Sequence, residues 1–127
     1  DLEYTVPTEK GCVSPERHTL KLNEEGLMPI DIHTFNCNTY IFDNKQLKKV
    51  TLLDKKKNPY ISLEFDSPLV ALWSPTKPHP DCPFVCIEPW YGRCDSVGYS
   101  GELKDREWIQ KLESKEVFDV EYKIIIE

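Results

Sequence analysis

The sequence predicts an all-β protein, specifically an antiparallel β-sandwich assembled from short strands. Short segments rich in β-branched, aromatic and aliphatic side chains recur along its 127 residues, a composition typical of strands. Turn-forming residues separate these segments. The ten prolines argue against long helices, because proline removes a backbone donor and breaks a helix. A chain of this length is expected to form a single domain over residues 1–127.

The alternation of apolar and polar residues predicts the strands in chain order. They cover residues 18–22, 31–35, 39–42, 47–53, 60–65, 69–73, 84–87 and 117–126. Asp, Asn and Pro predict turns at 43–44, 54–59, 66–68 and 74–83. One segment, 104–113, is predicted either as a helix or as a short strand over 108–112.

Acidic residues outnumber basic ones, and this excludes two classes of partner. Sixteen Lys and Arg stand against 22 Asp and Glu, for a formal net charge of -6. That sign disfavours binding to nucleic acid phosphates or to anionic lipid. The apolar runs are far shorter than the roughly 20 residues that span a bilayer, and the first residues lack the pattern of a signal peptide. We therefore expect no nucleic acid or membrane partner.

The cysteine count bears on redox compartment and on metal binding. Five cysteines, an odd number, cannot all pair within one chain, and they stand at Cys12, Cys37, Cys82, Cys86 and Cys94. A reduced, cytoplasmic setting is expected. A zinc-stabilised interaction domain is an alternative, because the last three cysteines and His79 are zinc ligand types, although paired Cys-x2-Cys spacing is missing. We expect buried thiols and no metal ligands.

The densest group of chemically unusual residues lies at 83–95. Glu88 follows an apolar run, 84–87, that is predicted as a buried strand, so its carboxylate is expected at the end of a sheet beside Trp90 and Tyr91. A partly desolvated carboxylate suits proton abstraction near neutral pH. The two aromatic rings offer flat faces that stack on sugar rings. A packed loop with a Glu88–Arg93 ion pair remains the structural alternative.

The segment Phe84-Val-Cys-Ile-Glu-Pro-Trp-Tyr-Gly, together with Asp95, resembles the signature of the aldose 1-epimerase (galactose mutarotase) superfamily, in particular its LacX-type branch. Further segments occur in the order that this branch shows. They are 35–42, 47–53, 69–74, 109–112 and 116–126. The resemblance therefore extends over almost the whole chain.

This resemblance implies a β-supersandwich that binds a free aldose and interconverts its α and β anomers without a cofactor. A glutamate takes the proton of the C1 hydroxyl and a histidine protonates the ring oxygen. The matching base is Glu88. Trp90 and Asp95 fall in the same motif and are expected beside the sugar, as is Asn38. Trp73 is a further candidate for sugar contact.

The chain departs from the family pattern at two places. Residue 38 is Asn where the family has Asp, so this contact would keep hydrogen bonding without a charge. The family's acid histidine lies in a His-Pro-x-Phe segment that this sequence lacks, and His18, His33 and His79 match no family position. The sequence thus resembles the C-terminal portion of a longer member. An N-terminal segment or a second chain is expected to complete the sandwich.

A noncatalytic carbohydrate-binding β-domain is the main alternative to an enzyme. In that case Trp73, Trp90 and Tyr91 would hold a sugar, and Glu88 would accept hydrogen bonds from its hydroxyls without moving a proton.

Overall fold

The structure, a computed structural model, describes residues 1–8 and 10–127. Eight strands form three antiparallel sheets, which confirms the prediction of an all-β sandwich. The described residues include two short 3-10 helices, Thr34–Cys37 and Leu103–Asp105, and no α-helix. They also contain no helix with the length and apolarity that crossing a membrane requires. The strands are β1 Leu2–Tyr4, β2 His18–Leu20, β3 Thr39–Phe42, β4 Lys49–Leu53, β5 Pro59–Phe65, β6 Leu69–Trp73, β7 Cys86–Trp90 and β8 Tyr122–Ile126.

The sheet β3–β6–β7 has β6 at its centre, antiparallel to both neighbours. Because successive side chains of a strand point to opposite faces, the register assigns every residue to one of two surfaces. The face that we call the core face carries Tyr40, Phe42, Val70, Leu72, Ile87 and Pro89. The opposite face, which we call the Glu88 face, carries Thr39, Ile41, Leu69, Ala71, Trp73, Cys86, Glu88 and Trp90.

The main hydrophobic core lies on the core face. Phe65 of β5 belongs to the same buried cluster as Phe42, Val70 and Leu72, so the sheets β3–β6–β7 and β4–β5–β8 pack together there. Burying such side chains contributes roughly 1.5–3 kcal/mol each. A smaller cluster of Val13, Ile41 and Leu69 lies on the Glu88 face. Both faces of the sheet thus carry buried apolar side chains, and the cluster on the core face is the larger.

The outer sheet β4–β5–β8 has one apolar face that is only partly covered. Its register aligns Phe65 with Tyr122, Leu63 with Ile124, and Ile61 with Ile126. Phe65 is buried in the core, whereas three β8 side chains are largely exposed. We call them the β8 row: Tyr122 at 64%, Ile124 at 57% and Ile126 at 77% exposure.

The strand pair β1–β2 packs against the main hydrophobic core through Leu2, Tyr4 and Leu20. Thr5 and Ile41 exchange backbone hydrogen bonds of 3.0 and 2.9 Å, which attaches the end of β1 to β3. The ring of Tyr4 lies 4.7 Å from that of Tyr40 on the core face. The guanidinium of Arg17 donates two hydrogen bonds of 2.8 Å to the carboxylate of Asp43, which ties the segment before β2 to the end of β3.

Four predicted elements are wrong or displaced. Residues 31–35 do not form a strand, because Asp31 Oδ1 accepts the backbone N–H groups of His33 and Thr34 and starts a turn. The last strand begins at Tyr122, not at 117. Residues 104–113 form neither the helix nor the strand expected, and contain part of a 3-10 turn. The strand predicted at 84–87 instead spans Cys86–Trp90.

We expect Asp43→Asn to reduce the free energy of unfolding by about 1–2 kcal/mol. The Asp43 side chain is 9% exposed and accepts both bonds from Arg17, so an amide would leave one buried contact unmatched. Urea denaturation of the purified protein measures the change. Asp66→Asn is the matched control, because Asp66 is 80% exposed in its ion pair with Lys45 and should cost no more than about 0.5 kcal/mol. Equal losses would contradict this account.

Candidate functional site

Glu88 lies in the middle of strand β7, not at the end of a sheet as the sequence suggested. The strand continues through Pro89, which has no backbone N–H. Proline is tolerated there because β7 is the edge strand of its sheet. Because Glu88 is in mid-strand, its side chain projects from one face of the sheet, where it is half-buried.

Small and apolar side chains surround the base of Glu88. The register places Ala71 of β6 directly opposite Glu88, and Ile41 of β3 beyond Ala71. Both are buried, with Ala71 at 0% exposure. Ala71 presents only a methyl group beside the Glu88 side chain. The nearest neighbours of Glu88 across the sheet are thus apolar.

Trp90 is the polar partner of Glu88. Its indole Nε1 donates a hydrogen bond of 3.1 Å to Oε2 of the carboxylate. The ring is half-buried and packs against the cluster of Val13, Ile41 and Leu69. The two residues alternate on one strand, so both side chains share the Glu88 face.

Two other predicted site residues lie toward the opposite end of this face. Trp73 is the neighbour of both Thr39 and Cys86 in the register, and its ring lies 6.4 Å from that of Phe84. Asn38 precedes Thr39, is exposed, and has a φ of 80°. Its ψ of -97° puts this residue outside the left-handed helical region. The Asn38 side chain accepts a 2.8 Å bond from the Thr39 hydroxyl.

Asp95 lies in the segment after β7, at the Trp90 end of the face. Its backbone oxygen accepts a 2.7 Å bond from Val13, and its carboxylate accepts from the guanidinium of Arg106. The alternative ion pair between Glu88 and Arg93 does not form, because the Arg93 guanidinium is turned to Glu107. The described residues place no cation in an ion pair with Glu88.

The structure does not bring the three histidines to Glu88. The ring of His18 lies 5.2 Å from Tyr4, which packs on the core side of the sheet. His33 is an exposed residue before the first 3-10 helix, and His79 is exposed in the proline-rich loop before β7. Each thus sits outside hydrogen-bonding contact with the Glu88 carboxylate.

The candidate zinc residues are not gathered into a metal site. No group of three or more His, Cys, Asp or Glu side chains is placed to hold a metal within residues 1–8 and 10–127. The five cysteines are free thiols. Burial raises the pKa of the Cys86 thiol, and the negative charges of Glu88 and Cys82 raise it further.

Two cavities lie away from the candidate site. One of about 540 Å³ opens on the core side, against Phe42, Leu72 and Met28. Another, of about 470 Å³, lies beside Glu64 and Lys123 on the outer sheet. Neither is lined by a predicted site residue. The candidate site is defined by the sheet register and by hydrogen bonds.

The sequence reasoning overlooked three residues around the predicted ones. Cys86 shares the Glu88 face, and the alternation in Cys86-Ile-Glu-Pro-Trp90 could have revealed it. Ala71 and Arg106 come from distant segments, and a pattern within one segment could not have paired them with Glu88 and Asp95.

We expect Glu88→Gln to speed alkylation of Cys86 by iodoacetamide. The negative charge of Glu88 raises the thiol pKa, so its removal lowers that pKa and increases the thiolate fraction at any pH below it. The rate should rise by less than about tenfold, since a tenfold change needs a full pKa unit. Peptide mass spectrometry measures this rate, with Cys94 in the same sample as the control. An unchanged or slower Cys86 reaction contradicts the proximity.

Comparisons with known proteins agree with this architecture. No family model matches the chain. The plasmid and chromosomal forms of protein LacX from Lactococcus lactis subsp. lactis are each 26% identical to it over 117 residues, covering 88% of the chain and 38% of their own length. The X-ray structure of a galactose mutarotase related enzyme from Lactobacillus acidophilus superposes with a TM-score of 0.81 at 21% identity.

The match to that structure covers 100% of this chain and 42% of the other. The chain thus spans about two fifths of the length of the proteins that it matches. Its fold is that of the galactose mutarotase related enzyme, and its similarity to the LacX proteins confirms the LacX-type resemblance seen in the sequence.

Proposed function

We propose that this chain carries the general base of an aldose 1-epimerase, an isomerase that interconverts the α and β anomers of a hexose. One observation supports this above all: Glu88 is half-buried beside the buried residues Ala71 and Ile41 on one sheet face, and its carboxylate accepts a hydrogen bond from Trp90. A general base needs such partial exclusion of water together with access to the reacting proton.

The reaction is an isomerisation without net oxidation, and the family resemblance implies that acid and base groups carry it without a cofactor. Glu88 takes the proton of the C1 hydroxyl, the bond between C1 and the ring oxygen breaks, and an acid protonates the ring oxygen. The open aldehyde rotates about the C1–C2 bond. Closure on the other face of the aldehyde returns each proton to its origin. The base and the acid are thereby restored.

The remaining residues would bind the sugar. Trp73 shares the Glu88 face, where its register partner is Cys86, and would stack on an apolar sugar face. Trp90 would border the sugar beside the carboxylate to which it is hydrogen-bonded. Asn38 and Asp95 would bind hydroxyls at opposite ends of the face. Asp95 keeps part of its accepting capacity, because its side chain is 40% exposed in its pair with Arg106.

The acid would come from outside these 127 residues. None of the three histidines of the chain contacts Glu88, and the family resemblance puts the acid histidine in a segment that this sequence lacks. We propose that an N-terminal segment of a longer protein supplies it. We place the reaction in the cytoplasm, where free thiols such as these persist.

The separation of the three histidines from Glu88 also favours a second candidate function. A sugar-binding surface without catalysis would use the same two tryptophans and would need no acid. Glu88 would then accept hydrogen bonds from hydroxyls. The two functions differ in whether the carboxylate moves a proton.

We expect the gene product, as its host makes it, to speed the mutarotation of fresh α-glucose or α-galactose above the buffer rate. Glu88→Gln should reduce the added rate by roughly a hundredfold or more, because an amide cannot take the proton. Polarimetry measures the rate. Glu64→Gln is the matched control, since Glu64 pairs with Lys49 and Lys123 on the other sheet and should leave the rate unchanged.

The contrary outcome is equally clear. Sugar binding that persists in Glu88→Gln, with no rate enhancement in the unaltered protein, would reject the enzyme and support the binding module.

We further propose that the β8 row packs against the N-terminal segment that completes the sandwich. Support comes from the exposure of these three side chains, which lie on the same sheet face as the buried Phe65. An uncovered apolar sheet face and a free strand edge invite pairing with further chain. The LacX relatives are more than twice as long as this chain, so they contain additional sequence that could cover such a face.

We expect the 127-residue chain alone to bind the dye ANS strongly and the host-made gene product to bind it weakly. In the isolated chain, Ile124→Lys combined with Ile126→Lys should remove most of the fluorescence, because it makes the β8 row polar. Glu121→Lys, an exposed neighbour before the strand, is the control. Equal dye binding by both proteins, or a dimer of the isolated chain that hides the row, would contradict an N-terminal partner.

A further inference from the structure

We propose that Trp90 is a positioning residue for Glu88: its indole N–H fixes one carboxylate oxygen and leaves the other directed to the substrate. This inference rests on the proposed function and deepens it. It assigns to Trp90 a hydrogen-bonding role toward the base in addition to any contact with a sugar.

The strand geometry brings the two groups together. Glu88 and Trp90 are two residues apart on β7, so their side chains leave the same face about 7 Å apart along the strand. An indole is long enough to span this interval, and the distance from Nε1 to Oε2 is 3.1 Å. The β6 residues opposite them are Ala71 and Leu69. Ala71 contributes only a methyl group beside the carboxylate.

The chemistry of the contact is one-directional. An indole nitrogen donates and cannot accept, whereas an ionised carboxylate accepts and cannot donate. A hydrogen bond to an ionised acceptor is about twice as strong as one between neutral groups. The bond therefore favours a single orientation of the carboxylate. The donor is neutral, so it orients the base without cancelling its negative charge.

Packing holds the donor in place. The Trp90 ring lies against Val13, Ile41 and Leu69, each at most 2% exposed. Two backbone hydrogen bonds join Val13 to the segment after β7, through Asp95 and Val97. A side chain held by a buried cluster is a rigid donor, and rigid support of a reacting group is what precise orientation requires.

The second carboxylate oxygen is left for the substrate. Within the described part of the chain, Glu88 accepts a hydrogen bond at Oε2, from Trp90, and takes part in no ion pair. Oε1 is thus the atom that would meet the C1 hydroxyl. Loss of the indole N–H should release the carboxylate to rotate and lower the fraction of time that it spends in the productive orientation.

We first test the contact without any assay of activity. Trp90→Phe identifies the indole signal of Trp90 in a ¹H–¹⁵N spectrum by its loss. Glu88→Gln should move that signal upfield, because the hydrogen bond loses its charged acceptor. The indole of Trp108, which packs on the same cluster, is the control and should stay in place. An unmoved Trp90 signal would overturn the inference.

The second test separates orientation from packing. In the host-made gene product, Trp90→Phe should lower kcat roughly tenfold, the size expected for loss of a hydrogen bond to a charged group, and change KM less than twofold. Trp108→Phe removes an indole from the same cluster and should leave kcat unchanged. Equal losses of kcat in both variants would assign Trp90 to packing alone.

The two tests keep this inference distinct from the proposed function. A gene product without mutarotation rejects the function, whereas the indole spectrum still decides whether Trp90 holds Glu88. An active enzyme in which Trp90→Phe keeps full kcat rejects the inference and leaves the function standing.

Discussion

The antiparallel register of β6 with its two neighbours determines which side chains of the central sheet act together. It directs Phe42, Val70 and Leu72 to the core face and Ala71 and Glu88 to the other. A slip of one residue would exchange the faces, burying a carboxylate in the hydrophobic core and exposing aromatic rings. Because that exchange is so costly, packing of the core face also fixes the position of the candidate site.

The Glu88 face combines rigidity with access. Ala71 and Ile41, which neighbour Glu88 on this face, are buried. Trp90 packs against a buried cluster and donates a hydrogen bond to the Glu88 carboxylate, so the partner of the carboxylate is a neutral donor and not a cation. The arginines nearby are occupied elsewhere: Arg93 with Glu107 and Arg106 with Asp95. These pairs stabilise the segment after β7 and keep positive charge from the base. The Glu88 carboxylate therefore has mostly apolar neighbours on this face.

Local patterns were sufficient to predict most of the fold. Strands β3 and β6 follow from alternation and β-propensity, and their bounds match the predicted 39–42 and 69–73. The pattern failed where a local hydrogen bond competed with it, as at Asp31, which caps a turn. It also failed at 117–121, where strand propensity is present but the described residues provide no partner strand. A strand needs a neighbour to satisfy its backbone, and propensity alone does not supply one.

By itself, the sequence determined the all-β class, the negative charge, and the segment 83–95 that holds Glu88 and Trp90, because each of these is a property of composition or of residues close in the chain. The tertiary structure decided the rest. Pairing between strands places Ala71 beside Glu88. The folding of the segment after β7 brings Arg106 to Asp95, and packing on the core face separates His18 from the carboxylate. These contacts join residues far apart in the chain, and their partners are chosen by register and packing, which no single segment encodes.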